Sequence, residues 1–464
     1  MSPEDLKNFQ IDPEEEAKLT RKLDRYLIPM FAVMYFLSSL DRSNIGNAYT
    51  SGMKEDLALT ATQYSTAVSV FYSTYLVSEL PATLFMKKLK PHYYLSFLVF
   101  SWSMVCLFSG FVKSYGSLIA TRVLLGTFEG GFFPAIVTYT TMTWKSEEQA
   151  KRISYFFGSA SLSGAFGGLI ATGLTKVTSS TFEGWRWLYV IEGIISVFAS
   201  LWLFFGLPDS PADLKFLSPR EKMLMKVRAK QRELYLGDLD HINWQEVKSA
   251  VFDIRTHISY CIQFCQDTIL YGFSTFLPSI LKSGLGYDSM QAQYLSVPVY
   301  LLAGLVFLIS AWISDRYKVR GIVFFCYNFV GVAGFIILLA CDNDAVKYFA
   351  CYLITFSLYT GTGLNIAWTT NNFSGFRRNT LIGLNQTFGN LSGAIVGQVY
   401  RSSPYVLGNS FSLGCICVSM ILTVSQLFYL RHLNREKEAI LRGEKVDTKK
   451  DRLGDRALEF KYCY

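Results

Sequence analysis

Charged residues are scarce in this chain. Asp, Glu, Lys and Arg make up 17% of its 464 residues, against about 25% in an ordinary soluble domain. Histidine is scarcer still, with only His92, His241, His257 and His432. None lies midway along an apolar run beside a partner that would complete a metal centre or a nucleophile–base pair, so an enzyme, a metal site and a bound cofactor are all disfavoured. The nine cysteines have no zinc-site spacing with histidine and suggest no disulfide framework. Cys106, Cys261, Cys265, Cys326, Cys351, Cys415 and Cys417 sit inside apolar runs and read as small packing residues. Met1 to Thr20 is acidic and polar and lacks the apolar stretch of a cleaved signal peptide. The first apolar helix is then expected to act as an uncleaved signal anchor. A net charge of +8 would suit nucleic acid, but the basic residues lie in alternate short loops between apolar runs. That is the positive-inside distribution of a membrane protein, and no nucleic-acid partner is expected.

What the chain has in quantity is apolar sequence. Hydrophobic residues make up 51% of it, in blocks of roughly 20, the length that crosses a hydrocarbon core about 30 Å thick. A dozen such blocks cannot fit inside one soluble core. They predict spans at 26–48, 63–86, 92–111, 117–140, 153–175, 187–206, 257–281, 291–314, 321–341, 347–369, 380–400 and 407–430. Lys18, Arg21, Lys22 and Arg25 precede the first span. Lys87, Lys88 and Lys90 follow the second, Lys145, Lys151 and Arg152 the fourth, Arg316, Lys318 and Arg320 the eighth, and Arg377 and Arg378 the tenth. The other loops carry mostly lone residues such as Lys54, Lys113, Lys282, Lys347 and Arg401. This asymmetry places the basic loops and both termini in the cytoplasm, which demands an even number of spans.

The longest hydrophilic stretch separates spans six and seven. Within it, Ser218-Pro219-Arg220-Glu221 reads as a helix start, with Ser at the N-cap and Pro at the first helical position. The expected organisation is a cytoplasmic tail over 1–25, a six-helix bundle over 26–206, a cytoplasmic loop over 207–256, a second bundle over 257–430 and a cytoplasmic tail over 431–464. The fold class is an all-α polytopic membrane protein, with twelve transmembrane helices in two six-helix bundles. Gly158, Gly164, Gly167, Gly168 and Gly173 crowd span five, where small residues allow close helix approach. Tyr26, Trp144 and Trp185 near span ends read as parts of aromatic belts.

Charges inside the spans are the candidate functional groups, because each costs about 2.5–3.5 kcal/mol to insert. They are Asp41 and Arg42 in span one, Glu79 in span two, Arg122 and Glu129 in span four, Glu192 in span six and Asp267 in span seven. Helix rise puts Asp41 roughly 21 Å in from the cytoplasm and Arg122 roughly 8 Å in from outside, at matching depth, with Glu129 near the midplane. Arg122 and Glu129 are two turns apart on one face. If spans one and four adjoin one cavity, two acids and two bases face it, and Arg122 is placed to pair with the acids. In the second half, Gln263, Asp267, Tyr359, Asn365 and Asn385 are the polar groups on spans seven, ten and eleven and are candidate site residues.

Two segments carry a family resemblance. Span four reads Arg122-x3-Gly126-x2-Glu129-Gly130-x3-Pro134, and span one reads Leu40-Asp41-Arg42-Ser43-Asn44-Ile45-Gly46-Asn47. With the Asp315-Arg316 loop that closes span eight, they resemble the anion:cation symporter family of the major facilitator superfamily. The equivalent first-half loop, Lys87 to His92, keeps the basic residues but lacks the aspartate. Thr62 to Thr66, Ser296 to Tyr300 and the tail from Asp451 to Tyr462 are similar to the nicotinate branch of the fungal allantoate, nicotinate and pantothenate permeases.

The resemblance implies a monomeric secondary transporter that imports a small organic anion by proton symport, with nicotinate the leading candidate and the plasma membrane the expected location. Allantoate, pantothenate, biotin, a sulfur compound, or a non-transporting nutrient receptor are the alternatives. On this reading Arg42 contacts the substrate carboxylate, and Asn47 and the polar groups Gln263, Tyr359, Asn365 and Asn385 are the further substrate-binding candidates. Asp41 and Glu129 would carry protons, and Arg122 would hold the acids in register. Gly126, Gly130, Pro134, Asp315 and Arg316 would serve gating and helix packing.

Overall fold

Each long apolar run forms α-helix, the structure that satisfies its own backbone where water is excluded. The computed structural model describes residues 12–174, 177, 182–236, 244–317, 319–447 and 454–464. The helices of the first half are α1 (Pro13–Ala48), α2 (Ala61–Lys88), α3 (Pro91–Ser109), α4 (Tyr115–Glu129), α5 (Phe132–Thr143), α6 (Ser146–Leu174) and α7 (Gly184–Gly206). The connecting segment holds α8 (Pro219–Leu236) and α9 (Trp244–Val251). The second half has α10 (Ile254–Ser279), α11 (Ser289–Tyr317), α12 (Arg320–Ala340), α13 (Asp344–Asn371), α14 (Gly375–Val399) and α15 (Val406–Leu441). The predicted spans fall on these helices, six to a half, with α4 and α5 forming the fourth. Among the described residues, α3, α7, α11, α12 and α15 are long and apolar enough to cross a membrane on composition alone. Helices α1, α10 and α13 fall outside that group because they carry the polar side chains of the interior.

Local sequence sets the helix ends. Asp12 accepts a hydrogen bond from the Glu14 N–H, with Pro13 at the first helical position. Ser218 and Glu221 cap α8 reciprocally: the Glu221 N–H donates to Ser218 Oγ (3.3 Å) and the Ser218 N–H to the Glu221 carboxylate (2.7 Å). Beyond α1 the chain turns at Gly52, whose φ of +112° suits glycine.

Small residues bring the helices together. A Cβ on Gly126 would run into the Thr74 hydroxyl and Phe71 carbonyl of α2, and one on Gly130 into Ser78 and the Tyr75 carbonyl. The pair therefore holds α4 against α2. Span four then breaks at Gly130–Gly131 before α5 begins, and Pro134 sits in the first turn of α5, where its missing N–H costs little. Between the halves, Gly158, Gly164 and Gly168 of α6 face Phe307, Tyr300 and Ser296 of α11, and Gly393 of α14 faces Tyr72 of α2. Gly167 instead faces Leu40 and Ser43 of α1, and Gly173 faces open space.

The end carrying the termini is tied by ion pairs: Lys145–Glu16 at 2.7 Å, Arg152–Asp24 at 2.8 Å, Lys22–Glu221 at 2.9 Å and Arg228–Glu148 at 3.2 Å. Two expected belt aromatics are corrected here. Trp144 and Trp185 are buried, and their indole N–H groups donate to Asp24 (2.9 Å) and Asp56 (3.0 Å). Each aspartate also binds a neighbouring arginine, so burial of the indole is matched by a strong acceptor. The last residues pack under the second bundle. Buried Asp455 meets Arg255 at 3.0 Å, and the Cys463 carbonyl accepts from Trp368 and Asn372.

Candidate functional site

Ser38 and Arg42 lie one turn apart on α1 and so share a face. Opposite them, Glu129 is the last residue of α4, fixed by the contact of Gly126 and Gly130 with α2. Arg42 Nε donates to Glu129 Oε1 at 2.5 Å, and the Ser38 hydroxyl donates to the same oxygen. Arg42 Nη2 also reaches Ser38 at 3.2 Å, and the guanidinium lies over the Tyr75 ring at 4.9 Å. Glu129 is fully buried; Arg42 is largely so. The pair is neutral as a unit, which is how two charges persist in an apolar interior.

Arg42 opens on a cavity of about 70 Å³ between the bundles. Tyr35, Arg42 and Tyr72 line it from the first half, and Gln263, Asp267, Tyr271 and Tyr359 from the second. A second cavity, lined by Phe133, Val137, Ile153 and Phe307, shares Ile366 and Gln386 with it and extends to Arg378, near the end that carries the termini. The opposite end is closed by contacts between the halves. Lys282 Nζ and the Ser289 hydroxyl both donate to the Thr50 carbonyl at 2.8 Å, and Gln293 donates to the Asn47 carbonyl at 3.1 Å. Tyr64 stacks on Tyr49 at 3.8 Å and meets Phe276 edge-on.

The expected cluster of four charges is two separate groups. Asp41 and Arg122 do not pair. The Cys106 thiol donates to Asp41 Oδ1 at 2.9 Å, while Arg122 Nη2 donates to the Tyr189 hydroxyl at 2.7 Å. No carboxylate lies within ion-pair distance of Arg122 among the described residues. Depth alone brought these residues to one level; their positions around the helix axes turn Asp41 toward α3 and Arg42 toward the cavity. Cys106, read from sequence as apolar packing, is a polar partner. Glu192 is bonded by Asn44 within the first bundle. Glu79 accepts from Asn390 at 3.2 Å and so links the halves.

Of the residues expected at the substrate, Arg42, Gln263 and Tyr359 line the main cavity and Asn385 lines the second. Asn47 and Asn365 are not among the lining residues. The Asn47 side chain abuts Gly167. Asn365 stands behind the wall and donates to Gln263 Oε1 at 2.8 Å, holding that amide in place. Arg316 is exposed, and the Asp315 side chain lies outside the described residues. Sequence reasoning missed Ser38, although its place one turn before Arg42 was a usable signal. Thr362 was missed as well; its hydroxyl donates to Asp267 at 2.6 Å.

Two helical halves around a central polar cavity define a membrane transporter. The family model of the major facilitator superfamily matches residues 31–397, and the chain belongs to that superfamily. It is 55% identical to an uncharacterized transporter of Schizosaccharomyces pombe over 98% of this chain and 95% of that one. It is 36% identical to the high-affinity nicotinic acid transporter of Saccharomyces cerevisiae, over 97% of this chain and 85% of that one. The solved structure of a bacterial homolog to the human lysosomal transporter Spinster, inward-facing and unoccupied, matches with a TM-score of 0.67 at 14% identity. It covers 86% of this chain and 95% of its own, a likeness of fold.

Proposed function

We propose that this transporter imports a small organic anion together with protons, and that a monocarboxylate of the nicotinate type is its substrate. The observation that carries the reading is the Arg42–Glu129 pair at the edge of the cavity. A guanidinium can hold a carboxylate through two parallel hydrogen bonds. When a substrate carboxylate takes Arg42, Glu129 loses its counter-charge, and a net negative charge would be left in an apolar interior. A proton on Glu129 restores neutrality, so anion and proton cross together. The reading is supported by 36% identity, along nearly the whole chain, to a transporter named for nicotinic acid.

The orientation goes with it. The loop charges favour cytoplasmic termini; on that reading the arm of the cavity reaching Arg378 is the cytoplasmic one, and the plasma membrane is the proposed site of action. The test is uptake of radiolabelled nicotinate, allantoate, pantothenate and biotin in cells lacking their own permeases, with and without a protonophore. Protonophore-sensitive nicotinate uptake is expected. Uptake of none of the four anions overturns the reading, and binding without flux assigns a receptor instead.

A further inference from the structure

Asp267 is the one carboxylate that lines the main cavity from the second bundle among the described residues. It is buried, yet its partners are neutral: Gln263 Nε2 donates to Oδ2 at 2.9 Å and the Thr362 hydroxyl to Oδ1 at 2.6 Å. No lysine, arginine or histidine lies within ion-pair distance of it among the described residues. Arg42, on the opposite bundle, already has Glu129. The niche around Asp267 is specific, since a Cβ on Gly389 of α14 would collide with its carboxylate. Both protein hydrogen bonds are donated to Asp267, and each carboxylate oxygen keeps a second acceptor position. A buried carboxylate without a counter-ion is costly, and a ligand entering the cavity can supply what the protein withholds.

The geometry points to Asp267 as the second recognition group of the cavity, so that the substrate is a carboxylate carrying a hydrogen-bond donor, ideally cationic, at its other end. The inference rests on the proposed function, with Arg42 holding the carboxylate, and narrows its substrate class to donor-bearing or zwitterionic acids. A protonated ring nitrogen or an ammonium group fits; a plain aromatic acid satisfies Arg42 and leaves Asp267 unanswered. Asp267 is thus a specificity residue.

The probes are nicotinate and benzoate, which differ in the ring nitrogen, with binding to the purified full-length chain measured by calorimetry at mildly acidic pH. The wild type should hold nicotinate at least about tenfold more tightly, or about 1.4 kcal/mol. Asp267→Asn should bind benzoate as before and show less than about a twofold preference. A packing role alone would weaken both ligands together and leave the ratio unchanged. Retention of the preference by Asp267→Asn overturns the inference, and if that variant also loses proton-driven accumulation, Asp267 carries a proton instead. A wild type that holds benzoate as tightly as nicotinate overturns it without any variant. In these cases carboxylate binding persists and the proposed function stands; if neither acid binds, the proposed function falls and the inference with it.

Discussion

Arg42 and Glu129 meet at 2.5 Å across α1 and α4, and the Ser38 hydroxyl donates to the same carboxylate oxygen. One guanidinium thus faces both an internal carboxylate and the cavity. Arg42→Ala is predicted to reduce uptake at least about tenfold, since hydrogen bonds to charged groups contribute about 1.5–3 kcal/mol each. Lysine should rescue poorly, because it offers a point charge in place of a planar fork. Radiolabelled uptake, normalised to transporter in the membrane, reads this out. Normal transport by the alanine variant removes Arg42 from the substrate site.

Gly126 predicts a packing effect at the same helix pair. A methyl group there meets the Thr74 hydroxyl and the Phe71 carbonyl, and backbone cannot move aside cheaply. Gly126→Ala should therefore destabilise the protein by about 1–3 kcal/mol, the usual range for overpacking. A methyl group on Gly173 would meet nothing within 4 Å, so Gly173→Ala should cost nothing. Thermal unfolding in detergent compares the two, and equal melting temperatures would show that α4 and α2 have slack.

These cases mark what was legible in the sequence. Apolar block length located the helices, and the spacing of Ser218 and Glu221 located a capped helix start, because both depend on local chemistry. Arg42 was legible as a cavity cation because the resemblance singled it out. The partners were not. Depth put Asp41 level with Arg122, but rotation about two helix axes decides contact, and nothing local fixes that rotation. Asp41 therefore reaches Cys106 of α3, and Arg122 reaches Tyr189 of α7. The docking of Asp455 beneath α10 was equally out of reach, since it joins residues 200 apart.

That docked tail predicts a stability effect. Asp455 is fully buried and lies 3.0 Å from Arg255 and 3.6 Å from Arg377. Removing one partner of a buried ion-pair cluster costs about 3–5 kcal/mol, so Asp455→Asn should lower the melting temperature clearly. Asp253 binds the same two arginines. Burial pushes its carboxyl up, but hydrogen bonds and charge from Arg255, then Arg377, outweigh this and hold it below its ordinary value. The stability it contributes is complete above its unfolded pKa of about 3.9 and is lost as pH falls through the lower folded value. Melting curves at stepwise lower pH should show acid destabilisation that Asp253→Asn lacks. A parallel pH profile in the variant would show that Asp253 is not coupled to folding.

The last prediction concerns coupling and rests on a charge count. If one monovalent anion crosses with one proton, no net charge moves, and the membrane potential of about 2.3 kcal/mol per charge per 100 mV contributes nothing. Two protons per anion would recruit it. The candidate proton carriers in the first bundle are Glu129, bonded to Arg42 at the cavity edge, and Asp41, buried behind it against the Cys106 thiol. A permanent Asp41–Arg122 salt bridge would have left one carrier, and no such bridge is present among the described residues. Two protons and electrogenic uptake are therefore expected for a monovalent substrate. Reconstituted liposomes with equal pH on both sides and a negative interior set by potassium and valinomycin should concentrate nicotinate. A response to a pH step with none to potential would rule out the second proton. In the same vesicles Glu129→Gln should keep binding or exchange and lose pH-driven accumulation, because a glutamine leaves Arg42 free for the anion but cannot take up the proton that neutralises the site. A Glu129→Gln protein that still concentrates nicotinate on a pH gradient would show that the obligatory proton travels elsewhere.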